Sequence, residues 1–204
     1  MSKYTTLEQH ASYGIGLQMG QQLADNPFDG LDIDAVAAGV IAAFTEQAPE
    51  VTDEQIRAAF TVISERMQAE QAEKAQLLAE AGDAFLAENA KRAEITVTAS
   101  GLQYEVLVAA EGDKPTASST VRTHYHGTLI DGTVFDSSYQ RGEPAEFPVS
   151  GVIAGWTEAL QLMSPGSKLR LYIPHNLAYG ERGAGNAIAP FSALIFDVEL
   201  LAIL

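Results

Sequence analysis

Three short stretches of the chain carry side chains that could act together on a ligand. They are Val134–Phe135–Asp136–Ser137–Ser138, Val152–Ile153–Ala154–Gly155–Trp156 and Leu177–Ala178–Tyr179–Gly180. Aromatic and branched apolar residues dominate, with one carboxylate among them. They spread over about 45 positions, more than a single helix or strand can span, so several elements must bring them together. If they converge, they form a small apolar cup with a few polar atoms at its rim. Such a cup suits a proline ring and the amide bond before it. Turning that amide needs no acid, base or nucleophile, because the barrier of ~18–20 kcal/mol is amide resonance. Water stabilises the planar form, whose carbonyl oxygen carries partial negative charge. A dry pocket withholds that stabilisation and favours the twisted state. A millionfold acceleration would need about 8 kcal/mol from desolvation and shape complementarity together.

The elements that must position this cup read mostly as strands. From Leu102 the apolar period is two: Leu102, Tyr104, Val106 and Val108 alternate with more polar neighbours, as do Val121, Thr123 and Tyr125. Leu129–Ile130–Asp131–Gly132–Thr133–Val134–Phe135 is a hairpin signal with Asp-Gly at the turn. Pro165–Gly166 marks a second turn, and Lys168–Ile173 and Ala193–Leu201 read as further strands. A short helix fits between Val152 and Met163, with Trp156, Leu160 and Met163 on its inner face. The expected result is a half-open antiparallel sheet wrapped on one short helix, in an α+β domain over residues 95–204.

The first half reads as helical. Leu7 to Ala24 has helical spacing but contains Gly14, Gly16 and Gly20. Each interior glycine costs about 1 kcal/mol, so close packing against another helix is the expected reason for them. Asn26–Pro27 and Asp29–Gly30 break the chain, and Asp32 or Asp34 can cap a helix from Ala35 to Phe44. Thr52 with Gln55 forms a capping-box pattern ahead of a long run of helix formers reaching about Arg92. Ile56, Phe60, Ile63 and Met67 make an apolar stripe, whereas Gln68 to Gln76 has no large apolar residue and reads as a solvated stalk with a supportive Glu70–Lys74 pair. Gly82 reads as a weak point. We therefore expect a dimerisation region at 1–50, a linker helix at 51–94 and the α+β domain after it. Two short helices without a staple are too small to be stable alone, so a homodimer is expected.

The chain has 204 residues, no cysteine and a net charge of −15. Residues 1–94 hold 6 basic and 16 acidic side chains, and residues 95–204 hold 6 and 11. Thiol catalysis and thiolate metal sites are excluded. Such a surface repels nucleic acid and anionic lipid, and neither is expected as a partner. With no apolar run of membrane-span length and a polar start, the chain reads as cytoplasmic.

The same stretches resemble the tacrolimus-binding (FKBP) family of peptidyl-prolyl isomerases. Thr123–His124–Tyr125–His126–Gly127, the hairpin through Ser138, Val152 to Trp156, Ala178–Tyr179–Gly180 and Leu194 to Leu200 carry the resemblance. It implies an FKBP-like fold and prolyl isomerase activity without a cofactor. It implies Trp156 as pocket floor, with Tyr125, Phe135, Val152, Ile153 and Phe196 as walls. The Tyr179 hydroxyl and the Ile153 N–H would bind carbonyls. Asp136 would lie at the rim in a network with Tyr125 and Arg141, Phe147 would support one wall, and Ile188 would overhang. Partly unfolded proline-containing proteins and tacrolimus- or rapamycin-type inhibitors are the implied partners. Ala145, Ala184 and Ala187 stand where bulkier family residues are common, which implies a lower wall. In layout the first half resembles the arm of the macrophage-infectivity-potentiator class, which implies a V-shaped homodimer that helps hold unfolded substrate.

Singly, several of these residues have plainer readings. Trp156, Phe135 and Phe196 could be ordinary core, and Asp136 could cap a turn. His124 and His126 flank Tyr125 and face the other way if it faces the cup. Two histidines without a third ligand read as a strand face rather than a metal site. A second functional reading is a non-catalytic holdase or proline-segment binding module, favoured by the long stalk. The complete aromatic cup favours the enzyme.

Overall fold

The computed structural model describes residues 3–25 and 27–204. Met1, Ser2 and Asn26, the last of which belongs to the expected Asn26–Pro27 break, lie outside the described residues. The chain divides into two compact units, Met1–Glu70 and Gln71–Leu204.

The first unit is helical: α1 (Leu7–Asp25), α2 (Ile33–Phe44) and the first turns of α3 (Asp53–Asn89). Asp32 is the cap of α2. Its carboxylate accepts the N–H groups of Asp34 at 2.9 Å and Ala35 at 3.1 Å, which would otherwise lack partners. The capping box of α3 forms as expected: the Thr52 N–H donates to Gln55 Oε1 at 2.9 Å, and the Gln55 N–H to Thr52 Oγ1 at 3.2 Å. Neither α1 nor α2 buries any described residue. Nothing lies within 4 Å of a Cβ built on Gly14, Gly16 or Gly20. The close contact expected of those glycines is therefore not made among the described residues. Glu70 approaches Arg66 at 3.9 Å, one turn earlier than the expected Lys74.

In the second unit seven antiparallel strands form one sheet. They are β1 (Thr96–Val97), β2 (Gln103–Val108), β3 (Thr120–Leu129), β4 (Val134–Ser137), β5 (Ala145–Pro148), β6 (Lys168–Ile173) and β7 (Leu194–Ile203). Their spatial order is β1-β2-β6-β7-β3-β4, and β5 also pairs with β3. The short helices α4 (Ser138–Arg141) and α5 (Ala154–Leu160) complete the unit. The Asp-Gly hairpin forms as read: Gly132 has φ +87°, and the Thr133 N–H donates to Asp131 Oδ1 at 2.9 Å. Gly166 in the second turn has φ +90°. At both turns the left-handed backbone favours glycine.

The alternation expected of β2 fails at its far end. Leu102 is buried, but Val106 and Val108 are exposed. β1 reaches only Gln103 and Tyr104, so the rest of β2 is a sheet edge. A register shift between Val106 and Val108 then interrupts its pairing with β6, which resumes at Val108 and Lys168.

The two faces of the sheet have separate cores. On one, α5 packs Trp156 and Leu160 against Leu171, Phe196 and Val198. On the other, the last turns of α3 lay Leu86 and Phe85 against Tyr172, Ala193 and Ile195. This second core has a polar tie: Asn89 Nδ2 donates to Gln103 Oε1 and Gln103 Nε2 to the Leu86 carbonyl, both at 2.9 Å. Gly82 is not a weak point. It is buried, and a Cβ there would lie 3.1 Å from that of Ala193. Its missing side chain allows the close approach.

Candidate active site

Trp156 is only 4% exposed and sits in the first turn of α5, pointing at the sheet. Three rings stand edge-on to it. Tyr125 from β3 lies at a centroid distance of 5.3 Å and 84°, Phe147 from β5 at 5.8 Å and 86°, and Phe196 from β7 at 5.2 Å and 81°. Phe135 from β4 stands against Phe196 at 5.3 Å and 83°. Edge-to-face contacts of this kind add about 0.5–1.5 kcal/mol each beyond burial. Gly127 makes room for two of these rings, since a Cβ on it would come within 2.7 Å of both Phe135 and Phe196.

The rings open onto a cavity of about 470 Å³. Tyr125, Phe135, Asp136, Phe147, Val152, Ile153, Trp156, Tyr179, Ile188 and Phe196 all line it, so these sequence-predicted residues meet in one place. Gly151 and Ala187 join them. Gly151 carried no sequence signal of its own. Arg141, expected in the rim network, bonds Asp136 and does not itself line the cavity.

The polar rim is a three-residue network. The Tyr125 hydroxyl donates to Asp136 Oδ2 at 2.5 Å. Arg141 donates to Asp136 Oδ1 and, at 2.8 Å, to the Tyr125 oxygen. Burial alone would raise the Asp136 pKa, but the hydrogen bonds from Tyr125 and Arg141 and the guanidinium charge together hold it below the usual carboxylate value. Tyr125 is shifted upward, first by burial and then by its bond to Asp136. Tyr179 is also raised, by burial and by the nearby Asp136 charge. All three groups therefore keep one protonation state across neutral pH.

Ser138 fixes Tyr125, a role that its place in the hairpin motif did not reveal. β4 pairs with β3 at His126–Thr128 and β5 at Thr120–Thr123. Between them Tyr125 faces a gap, which the fully buried Ser138 hydroxyl fills. It accepts the Tyr125 N–H at 2.7 Å and lies 3.2 Å from the Tyr125 carbonyl. On the opposite side of β3, His124 Nδ1 is 2.9 Å from the same hydroxyl, and its ring stacks on Tyr139 at 4.6 Å. His126 lines a separate cavity on the other face with Arg170 and Asp197. The two imidazoles do point away from the cup.

Among the described residues, the buried Trp156 indole nitrogen has no hydrogen-bond partner. No group of three His, Asp or Glu side chains among them lies close enough to hold a metal ion. The arrangement can hold a small ring against an indole, exclude water from the adjoining amide and hydrogen-bond the carbonyls on either side.

Comparison with known proteins agrees with this geometry. Residues 111–201 match the model of the FKBP-type peptidyl-prolyl cis-trans isomerases, and residues 8–106 match that of the domain amino-terminal to them. The chain is 52% identical to the FKBP-type 22 kDa peptidyl-prolyl cis-trans isomerase of Escherichia coli K12, covering 98% of each. The crystal structure of FkpA from Escherichia coli superimposes with a TM-score of 0.72 at 35% identity, covering 98% of both chains. Outer membrane protein MIP of Legionella longbeachae is 40% identical, covering 98% of this chain and 87% of that protein. That relative overturns the cytoplasmic placement. A relative that matches nearly the whole of this chain is named for the outer membrane, so neither the missing cysteines nor the polar composition assigns a compartment. Among the described residues no helix is long and apolar enough to cross a membrane. The chain belongs to the FKBP-type peptidyl-prolyl cis-trans isomerases, with the family's amino-terminal and isomerase domains both present.

Proposed function

We propose that the chain accelerates proline-limited folding of partly unfolded proteins by binding X–Pro segments over Trp156. The observation that carries this reading is the set of rings standing edge-on around the indole. The proline ring lies on Trp156 between Tyr125, Phe147 and Phe196, with Phe135, Val152 and Ile188 closing the sides. The Tyr179 hydroxyl and the Ile153 N–H, at the start of α5, take the flanking carbonyls. Asp136 is held as an anion by Tyr125 and Arg141. Its charge opposes the partial negative charge on the amide oxygen, which is greatest in the planar state, and so favours the twist. Tacrolimus- or rapamycin-type macrolides would compete for the same walls.

In this reading residues 1–50 join two copies, 51–94 space the isomerase domains and 95–204 do the chemistry. Support for dimerisation comes from the helices themselves. Ile15, Leu17, Ile41, Phe44 and Phe60 are all more than half exposed, and an apolar surface of that kind is normally covered by a partner. The paired arms would also gather unfolded substrate.

The test is the proline-limited refolding rate of an unfolded protein, with the full chain compared with residues 71–204 at equal domain concentration. Faster catalysis by the full chain is expected. Equal rates would reduce the arm to a dimeriser. Replacing Trp156 by Leu or Asp136 by Asn should lower turnover at least about tenfold with the far-ultraviolet circular dichroism unchanged. Full turnover in both variants would remove these residues from the site.

A further inference from the structure

We propose that His175 and Phe191 form an aromatic clasp that positions Tyr179 and Ile188 over the pocket. This rests on the pocket reading above and adds two positioning residues to it.

The starting point is a backbone oddity. Phe191 has φ +61°, a left-handed conformation that bulky residues rarely adopt and that glycine or asparagine tolerates. A ring held there must be held by its surroundings. Two contacts do so. The Phe191 N–H donates to the Gly180 carbonyl at 2.9 Å. Its ring meets the His175 imidazole edge-on, with centroids 5.1 Å apart at 61°. His175 Nδ1 is buried with no hydrogen-bond partner among the described residues. That nitrogen therefore does not fix the ring, whereas the Phe191 ring packs against it.

The two partners sit at the roots of two segments that reach the cavity. His175 opens a 3-10 turn, His175–Leu177, that leads straight into Tyr179. Phe191 follows the loop that carries Ala187 and Ile188, both of which line the cavity. That loop is closed on itself: Ala184 and Ile188 exchange backbone hydrogen bonds at 2.8 and 3.1 Å. Gly183, at φ +63°, admits no side chain, since a Cβ there would lie 2.2 Å from the Ile188 carbonyl oxygen. The tip is thus a stiff ring, and its angle over the pocket is set at its base. At that base the clasp ties it to the Tyr179 segment, so the Tyr179 hydroxyl and the Ile188 side chain are held at a fixed separation. Neither clasp residue lines the pocket.

The experiment uses the full chain and measures kcat and KM on short proline peptides, the Kd for tacrolimus and the thermal midpoint. Phe191→Asn suits the left-handed backbone while removing the ring, so its thermal midpoint should be unchanged or higher. Its kcat/KM should nevertheless fall roughly tenfold, with tacrolimus binding weakened to a similar extent, because a misplaced contact is lost in the transition state. His175→Ala should behave alike, the double variant should be no worse than either single one, and His175→Phe should restore most of the activity. Wild-type kcat/KM and Kd in a folded Phe191→Asn variant would overturn the clasp. So would additive losses in the double variant, or losses that track a lower thermal midpoint. Trp156→Leu is the control for the underlying reading. If it loses activity while Phe191→Asn does not, only the clasp fails; if it too keeps full activity, the pocket reading fails.

Discussion

Two phenylalanines mark the contrast between the units. Phe44, at the end of α2, is 89% exposed, whereas Phe196, in the middle of β7, is 4% exposed. The second unit uses its apolar side chains against its own sheet: α5 covers one face and the end of α3 the other. The first unit leaves Leu7, Ile15, Leu17, Phe44 and Phe60 largely open. The lesson is that the two halves of one chain gain stability in different ways. The isomerase half carries its own hydrophobic driving force, whereas the arm, in the reading proposed above, would draw its own from a second copy.

The largest effect expected of breaking that contrast lies in the core. Leu160 is fully buried, and Leu160→Ala should cost about 2–5 kcal/mol. The chain has a single tryptophan, so the fluorescence of Trp156 during urea unfolding reads this unit directly. Truncating Phe44 in the same way should leave that transition in place. A shift of similar size from Phe44→Ala would mean that the arm and the isomerase unit unfold together.

The arm gives the next effect. Phe60, on the α3 stripe, is 65% exposed. If the stripe is the dimer seam, Phe60→Glu should weaken association by about 2 kcal/mol or more, as a central interface residue does. Sedimentation velocity over a concentration series would detect it. Peptide isomerase activity per chain should stay constant. A wild-type chain that sediments as a monomer at all concentrations would remove the dimer.

What could be read in the sequence follows the same division. The capping box at Thr52, the Asp-Gly hairpin and strand β6 were legible because each depends on neighbours a few residues away, while the cap of α2 was narrowed only to Asp32 or Asp34 and its start placed at Ala35 rather than Ile33. The pocket was legible because its residues match a recurrent family pattern; spacing alone left Trp156, Phe135 and Phe196 as possible core. Long-range events were not legible. Gly82 seemed a helix defect until Ala193 came against it, and the exposure of Val106 and Val108 depends on how short β1 is. Ser138 gains its role only from the gap between β4 and β5. The compartment was misjudged because composition does not report it.

A smaller effect tests the tie on the back of the sheet. Gln103 is buried and bonded both to Asn89 and to the Leu86 carbonyl. Gln103→Leu keeps the volume but leaves the buried Asn89 amide donor without its partner and takes one of two bonds from the Leu86 carbonyl, which still accepts the Ala90 N–H, at an expected cost of about 1–3 kcal/mol. The same fluorescence-detected unfolding would measure it. No loss would mean that water replaces the glutamine, and that the end of α3 rests on Leu86 and Phe85 alone.

The smallest effect comes from the rim and depends on pH. Asp136 is held below its ordinary carboxylate value by Tyr125 and Arg141 acting against burial. A carboxylate with a depressed folded pKa contributes stability above its unfolded pKa, here near 3.8. That contribution is lost as the pH falls through the lower folded value. Wild type should therefore be more stable than Asp136→Asn at pH 6, and the gap should close below about pH 4. The Asp136 side chain is 42% exposed, so solvent screening limits the gap to roughly 1 kcal/mol or less. Thermal midpoints of the two proteins from pH 6 down to about 3 would follow it. A gap that stays constant across that range would mean that the Asn substitution acts through packing at the rim. The charge on Asp136 would then serve the twisting amide alone, and its effect would appear only in turnover.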